Sequence, residues 1–207
     1  MINMLKLNLA SHDVRVDGWL NVDIQNFPAV DIVCDIRYLD IRIKADVIRA
    51  SHVLEHLWPC ETEHVLRNWY EHLKPGGMLF VAVPDFDWVV RYYLEHADST
   101  LMWWESGFDI KVMTEIYGAF FALPDDGDAI KYARHRALFN ERSLKSLLEH
   151  VGFKEASRLN PEEEDLMRGF DDAMKLPWSL NMKCQKMSGP MDLSRLPESV
   201  PSKSSSG

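Results

Sequence analysis

Apolar residues recur at every second position in MLKLNLA (4–10), with Leu5, Leu7 and Leu9 on one side, which predicts a first strand. The short runs WLNVDI (19–24), DIVCD (31–35) and ADVIRAS (45–51) predict three more, the first two ending at or next to an aspartate. Over 59–73 the period lengthens. Val65, Leu66, Trp69 and Leu73 fall on one face of a helix, with Pro59 in its first turn and Glu61 and Glu63 at its positive dipole end. Lys74-Pro75-Gly76-Gly77 is expected to stop that helix and turn the chain. The unbroken apolar run MLFVAVP (78–84) then reads as a central parallel strand buried on both faces.

Residues 86–135 break the alternation. They are rich in aromatics, among them Trp88, Tyr92, Tyr93, Trp103 and Trp104, and predict two or three irregular helices. Asn140 is the expected cap of ERSLKSLLEHV, which Gly152 ends. FKEASRL (153–159) and SLNMKCQK (179–186) read as closing strands. Strands joined through helices imply an α/β fold, a mostly parallel sheet with helices on both faces. The expected organisation is one domain over 1–187, with 86–135 as an insertion covering the substrate and 188–207 as a disordered tail of low apolar content.

Composition narrows the classes. The chain has 207 residues, 46% hydrophobic and 27% charged, ordinary for a globular protein. No apolar run approaches the roughly 20 residues that cross a bilayer, and the first residues lack a signal-peptide pattern. Three widely spaced cysteines, Cys34, Cys60 and Cys184, suggest neither a disulfide framework nor a metal site, and fit a reducing, cytoplasmic setting. A net charge of −9 argues against nucleic acid as partner. No membrane partner is expected, and the oligomeric state is not readable.

In open α/β sheets ligands bind beyond the carboxyl ends of the strands, so the chemistry should lie at 10–13, 23–26, 35–37, 51–56 and 84–88. Asp23 and Asp35 stand at successive strand ends. One carboxylate there can accept from a ribose diol and the next from an exocyclic amine, which together make an adenosine site. The competing reading makes both aspartates turn residues. The stretch SHVLEHL (51–57) contains His52, Glu55 and His56 in the spacing H-x-x-E-H, an inverted zinc-protease signature. A zinc hydrolase remains a remote alternative. His52 leaves a strand rather than sitting mid-helix, and no third ligand is marked, so no metal is expected and His56 reads as structural.

The segments LNLA, GWLNVDI, DIVCDI, ADVIRASHVLEHL, VLRNWYEHLKPGGMLFVAVPDF and HRALFNERSLKSLLEHVGFKE together resemble the class I S-adenosylmethionine-dependent methyltransferases, over most of residues 5–159. The resemblance implies a Rossmann-like sheet of seven strands, the last antiparallel, and S-adenosyl-L-methionine as cofactor. Carried over by position, Asp23 with Ile24 would hold the ribose. Asp35 and Ile36 would hold the adenine, and Ser51 and His52 would sit beside the methionine part. The loop from Leu9 through Ala10 and Ser11 to Asp13 would face the amino-acid end. Such enzymes carry Gly-x-Gly in that loop; this chain has Ala10-Ser11-His12.

The implied activity is methyl transfer to a small-molecule or glycan-like acceptor, at oxygen. His52 is the nearest candidate base, with His135 and Asp85 as further candidates. For His135 the plainer reading is a surface residue in a basic loop. A second reading, prompted by the altered loop, is a methyltransferase-like protein that binds ligand or a partner without catalysing. A third puts the same cofactor to a different reaction.

Overall fold

A computed structural model describes residues 4–95, 134–170 and 172–189. Seven strands form one sheet: β1 (Lys6–Leu9), β2 (Leu20–Asp23), β3 (Ile32–Val33), β4 (Ala45–Ser51), β5 (Leu73–Pro84), β6 (Lys154–Arg158) and β7 (Ser179–Gln185). Their order is β3-β2-β1-β4-β5-β7-β6. The first five run parallel, and β7 pairs antiparallel with both β5 and β6. The order reverses between β1 and β4, so a crevice is expected above their carboxyl ends.

Alternation along β4 and β5 sends side chains to two different cores. Ile48, Ala50, Leu79, Val81 and Val83 face a large cluster with Leu66 and Trp69 of helix α1 (Pro59–His72) and Leu144 and Leu148 of a later helix (Glu141–Val151). Val47, Phe80 and Ala82 face a smaller one with Trp19, Met167, Phe170 and Met174, which come from loops and from short turns at Asp165–Met167 and Ala173–Lys175. Among the described residues this second face is therefore covered by turns, where the sequence predicted helices on both faces. Arg49 also points to that side. It is 2% exposed, bonds Asn8 Oδ1 at 2.8 Å, pairs with Asp172 and lies 3.9 Å from the Phe170 ring centroid.

Helix α1 begins where expected, and the Glu61 side chain accepts from the Trp58 N–H. The expected turn at 74–77 is instead part of β5. Gly76 takes φ +77°, and the pairing slips between Ala45 and Val47, so the glycines make an irregularity inside a longer strand. The third strand keeps only two of its five expected residues. Helix α2 (Phe86–Glu95) opens the aromatic segment; the expected helices beyond it, like the tail after 189, lie outside the described residues. Helix α3 (Glu141–Val151) is capped by the Asn140 side chain on the Ser143 N–H and ends at Gly152, φ +116°.

Candidate functional site

A cavity of about 380 Å³ opens at the carboxyl ends of β1 to β4, within the size range of small-molecule sites. Four consecutive strand exits wall it: Ala10 and His12 after β1, Asp23, Ile24 and Gln25 at β2, Asp35, Ile36 and Arg37 after β3, and His52 and Val53 after β4. Asp23 and Asp35 thus face one common space. Of the further residues proposed from sequence, Leu9, Ser11 and Ser51 do not line it. Leu9 is fully buried in the large core, and Ser11 is 4% exposed with its N–H on the Val22 carbonyl.

The loop after β1 answers the question posed by its missing glycines. Ala10 and His12 adopt φ +51° and +48°, the left-handed region that glycine favours. The loop therefore takes a backbone shape suited to glycine without containing one. Asp23 helps hold it: Oδ2 accepts from the His12 N–H and Oδ1 from the Gln25 N–H, both at 2.9 Å. The His12 ring packs on Phe27, centroids 4.2 Å apart, and Asp13 accepts from the Ala29 N–H. The side chains replacing glycine leave the cavity open.

Asp35 is more occupied than its sequence position suggested. Arg37 donates to it through its backbone N–H, Nε and a terminal nitrogen at 2.6 Å, and the same guanidinium approaches Glu61 at 3.7 Å. Burial raises the Asp35 pKa, but the bonds from Arg37 outweigh it and hold the carboxyl below its ordinary value. Arg37, within the marked stretch 35–37, also lines the cavity, as do Trp58, Glu61 and Arg136, which the sequence did not mark as site residues. Only Arg37, two residues beyond Asp35, carried a usable signal.

His52 also sits at φ +49°, on the cavity wall. Its Nε2 meets Ser179 Oγ at 3.0 Å, and its Nδ1 lies 3.4 Å from Glu55 Oε1. Glu55 is 1% exposed, in a tight turn (Leu54–His56) rather than an α-helix. Burial would raise its pKa, yet the imidazoles of His52, His56 and His135 outweigh this and hold it below its usual value. His135, half-buried, is brought to this turn, its ring centroid 4.9 Å from that of His56. Asp85 is not: it is 2% exposed, accepts from Arg158 at 2.7 Å and from the Asp87 N–H at the start of α2, and does not line the cavity. Its candidacy as a base came from its place after β5, but its carboxylate is spent on a cap and an ion pair.

A mostly parallel seven-stranded sheet, its last strand antiparallel, with a cavity at the β1/β4 switch point is the architecture of the class I methyltransferases. A family model described as a methyltransferase domain matches residues 7–157, and the chain belongs to that family. The cofactor of such a domain is S-adenosyl-L-methionine. No curated protein sequence matches the chain closely enough to count as a relative. Among solved structures the fold is similar to the CcbJ methyltransferase from Streptomyces caelestis (TM-score 0.52, 14% identity, 90% of this chain and 84% of that one). It is similar to the Burkholderia thailandensis 1,6-didemethyltoxoflavin-N1-methyltransferase (0.51, 14%, 89% and 71%) and to human N-acetylserotonin methyltransferase (0.51, 12%, 88% and 47%). The chain thus spans about half the length of the human protein, and at these identities the likeness is one of fold.

Proposed function

We propose that the chain is an active S-adenosylmethionine-dependent methyltransferase acting on a small-molecule or glycan-like acceptor, at oxygen. One observation carries the reading: Asp23 and Asp35, at adjacent strand ends, face a single cavity beside a loop that keeps the glycine-like backbone. Asp23 still has lone pairs to offer a ribose diol beyond the two N–H groups it accepts. Asp35 and Ile36 would meet the adenine, with Arg37 turning aside from Asp35 to free an oxygen. Backbone of Ala10 and His12, which line the cavity, would meet the amino-acid end. The bound cofactor supplies an activated methyl group; the protein supplies position and exclusion of water.

His52 would take the acceptor proton, and the buried Glu55 carboxylate 3.4 Å from Nδ1 favours the imidazolium so formed. His135 would act through Glu55 rather than on the acceptor. Trp88 stacks on Tyr92 at 4.7 Å and lies 5.8 Å from Trp178, the neighbour of Ser179, which gives a flat or sugar-like acceptor an aromatic platform near His52. The named substrates of the human and Burkholderia proteins, both small molecules, support that acceptor class. The acidic balance and the lack of any long apolar helix among the described residues favour neither nucleic acid nor a bilayer as partner.

Calorimetry with S-adenosylhomocysteine, paired with release of that product from S-adenosylmethionine over a panel of hydroxyl acceptors, tests the reading. Wild type should bind. Asp23→Ala should weaken binding by about 100-fold or more, the loss of two hydrogen bonds to a charged group at about 1.5 kcal/mol each. Binding without turnover on any acceptor would favour a non-catalytic ligand binder, and no binding would remove the proposal.

A further inference from the structure

The turn at Leu54–His56 holds a group that the methyl-transfer reading does not fully use. Glu55 is 1% exposed and neither of its carboxylate oxygens accepts a hydrogen bond. Its approach to His52 Nδ1, 3.4 Å, is an ion-pair distance without hydrogen-bond geometry. A buried carboxylate left in that state is costly unless a positive charge faces it. Two more imidazoles do. Residues 136 and 137 are tied to the turn by Arg136 N–H and Ala137 N–H, both donating to the Glu55 carbonyl, and this places His135 beside His56. Ligand atoms of Glu55, His56 and His135 all lie within 4.8 Å of one another.

The protonation of His56 follows from its partner. Nδ1 sits 3.0 Å from the Arg134 carbonyl, which can only accept, so Nδ1 carries the hydrogen. In the neutral ring Nε2 then bears a lone pair, and it faces Glu55 Oε1 at 3.9 Å. The ring is half-buried, and its nitrogen and the buried Glu55 carboxylate leave room for a cation that both could hold. An imidazole whose far N–H is fixed by a backbone carbonyl is also how metal-binding histidines are oriented. The Arg136 guanidinium donates to the His56 and Arg134 carbonyls and lies over the Trp58 ring.

We propose that Glu55, His56 and His135 bind a first-row divalent cation of the zinc class at the wall of the methyltransferase cavity, which His56 itself lines. Two imidazoles and one carboxylate form a donor set for such ions and leave coordination positions open. Ligands held at about 2.0–2.2 Å from one zinc lie about 3–3.5 Å apart, so shifts of about 1 Å close the present spread. Resting on the oxygen-acceptor reading above, the open position would take the acceptor hydroxyl, lower its pKa and hand its proton to His52, the O–H bond breaking as the N–H bond forms.

Cobalt and zinc titration of the metal-stripped full chain tests the site, read by visible cobalt absorption and by metal content after dialysis. One equivalent should bind. His135→Ala and Glu55→Gln should each weaken binding by at least about tenfold, with circular dichroism unchanged. His135 is only half-buried, so its variant remains informative if Glu55→Gln folds poorly. No uptake by wild type, or unchanged uptake by His135→Ala, would overturn the proposal. S-adenosylhomocysteine binding to the same metal-free protein is read separately, so failure of the metal site and failure of the methyltransferase reading give different results.

Discussion

Ala10 offers a quantitative test of the loop that stands where relatives carry glycine. At φ +51° an alanine costs about 1–2 kcal/mol, because its Cβ crowds the following carbonyl. Ala10→Gly removes that strain but gives the unfolded chain extra freedom worth about 0.4–1 kcal/mol. The difference is about 0–1.6 kcal/mol, so stability should stay level or rise by up to that amount. Ala10→Val keeps the strain and adds β-branched crowding where such residues are outliers, so it should lose roughly 2 kcal/mol. Urea unfolding of the three proteins measures both changes. The same variants probe function. Because the wild-type loop already has the glycine-like path, Ala10→Gly should alter S-adenosylhomocysteine affinity by less than about threefold, under 1 kcal/mol. A valine variant as stable as wild type would show that the left-handed conformation is absent. A tenfold gain in affinity from glycine would show that the alanine methyl obstructs the cofactor after all.

Other outcomes follow from the packing. Asp172→Ala should cost about 3–5 kcal/mol, because it strips the counter-ion from the buried Arg49 guanidinium, whereas the double variant Asp172→Ala/Arg49→Leu should recover much of it; equal losses in a urea series would refute this. Gly77→Ala places a Cβ 2.9 Å from the Lys74 carbonyl and 3.1 Å from that of Asp46, both backbone, and should lower stability by about 1–3 kcal/mol in thermal unfolding. Asp31 is held below its ordinary pKa by the Asn21 N–H and by Arg15, and Asp46 by Lys74 and the Leu5 N–H. A depressed carboxylate stabilises above its unfolded pKa and loses that contribution as pH falls through the folded value. The urea midpoint should therefore hold near pH 6 and drop below about pH 4, and a flat profile would contradict those bonds.

Local pattern was enough for much of this molecule. β4 occupies the residues its apolar run marked, α1 starts at Pro59, and α3 runs from the Asn140 cap to Gly152. Period and capping are written in neighbouring residues, and strand ends in an open parallel sheet are ligand sites by topology, so Asp23 and Asp35 were legible as a pair. Bends were less so. Gly76-Gly77 reads as a turn in isolation, yet β4 pairs with Leu73 before it and Met78 after it, and Lys186 bonds both glycines, which draws it into β5. What sequence could not reveal involves partners far along the chain. Asp85 looked available until Arg158 closed on it from 73 positions away, and Asp172 reaches Arg49 across 123. No metal-binding neighbour of Glu55 and His56 showed in the sequence because His135 comes beside them only when residues 136 and 137 donate to the Glu55 carbonyl. Elements arise from the order of side chains along one segment; buried charge and the sites built on it depend on which segments the fold brings together.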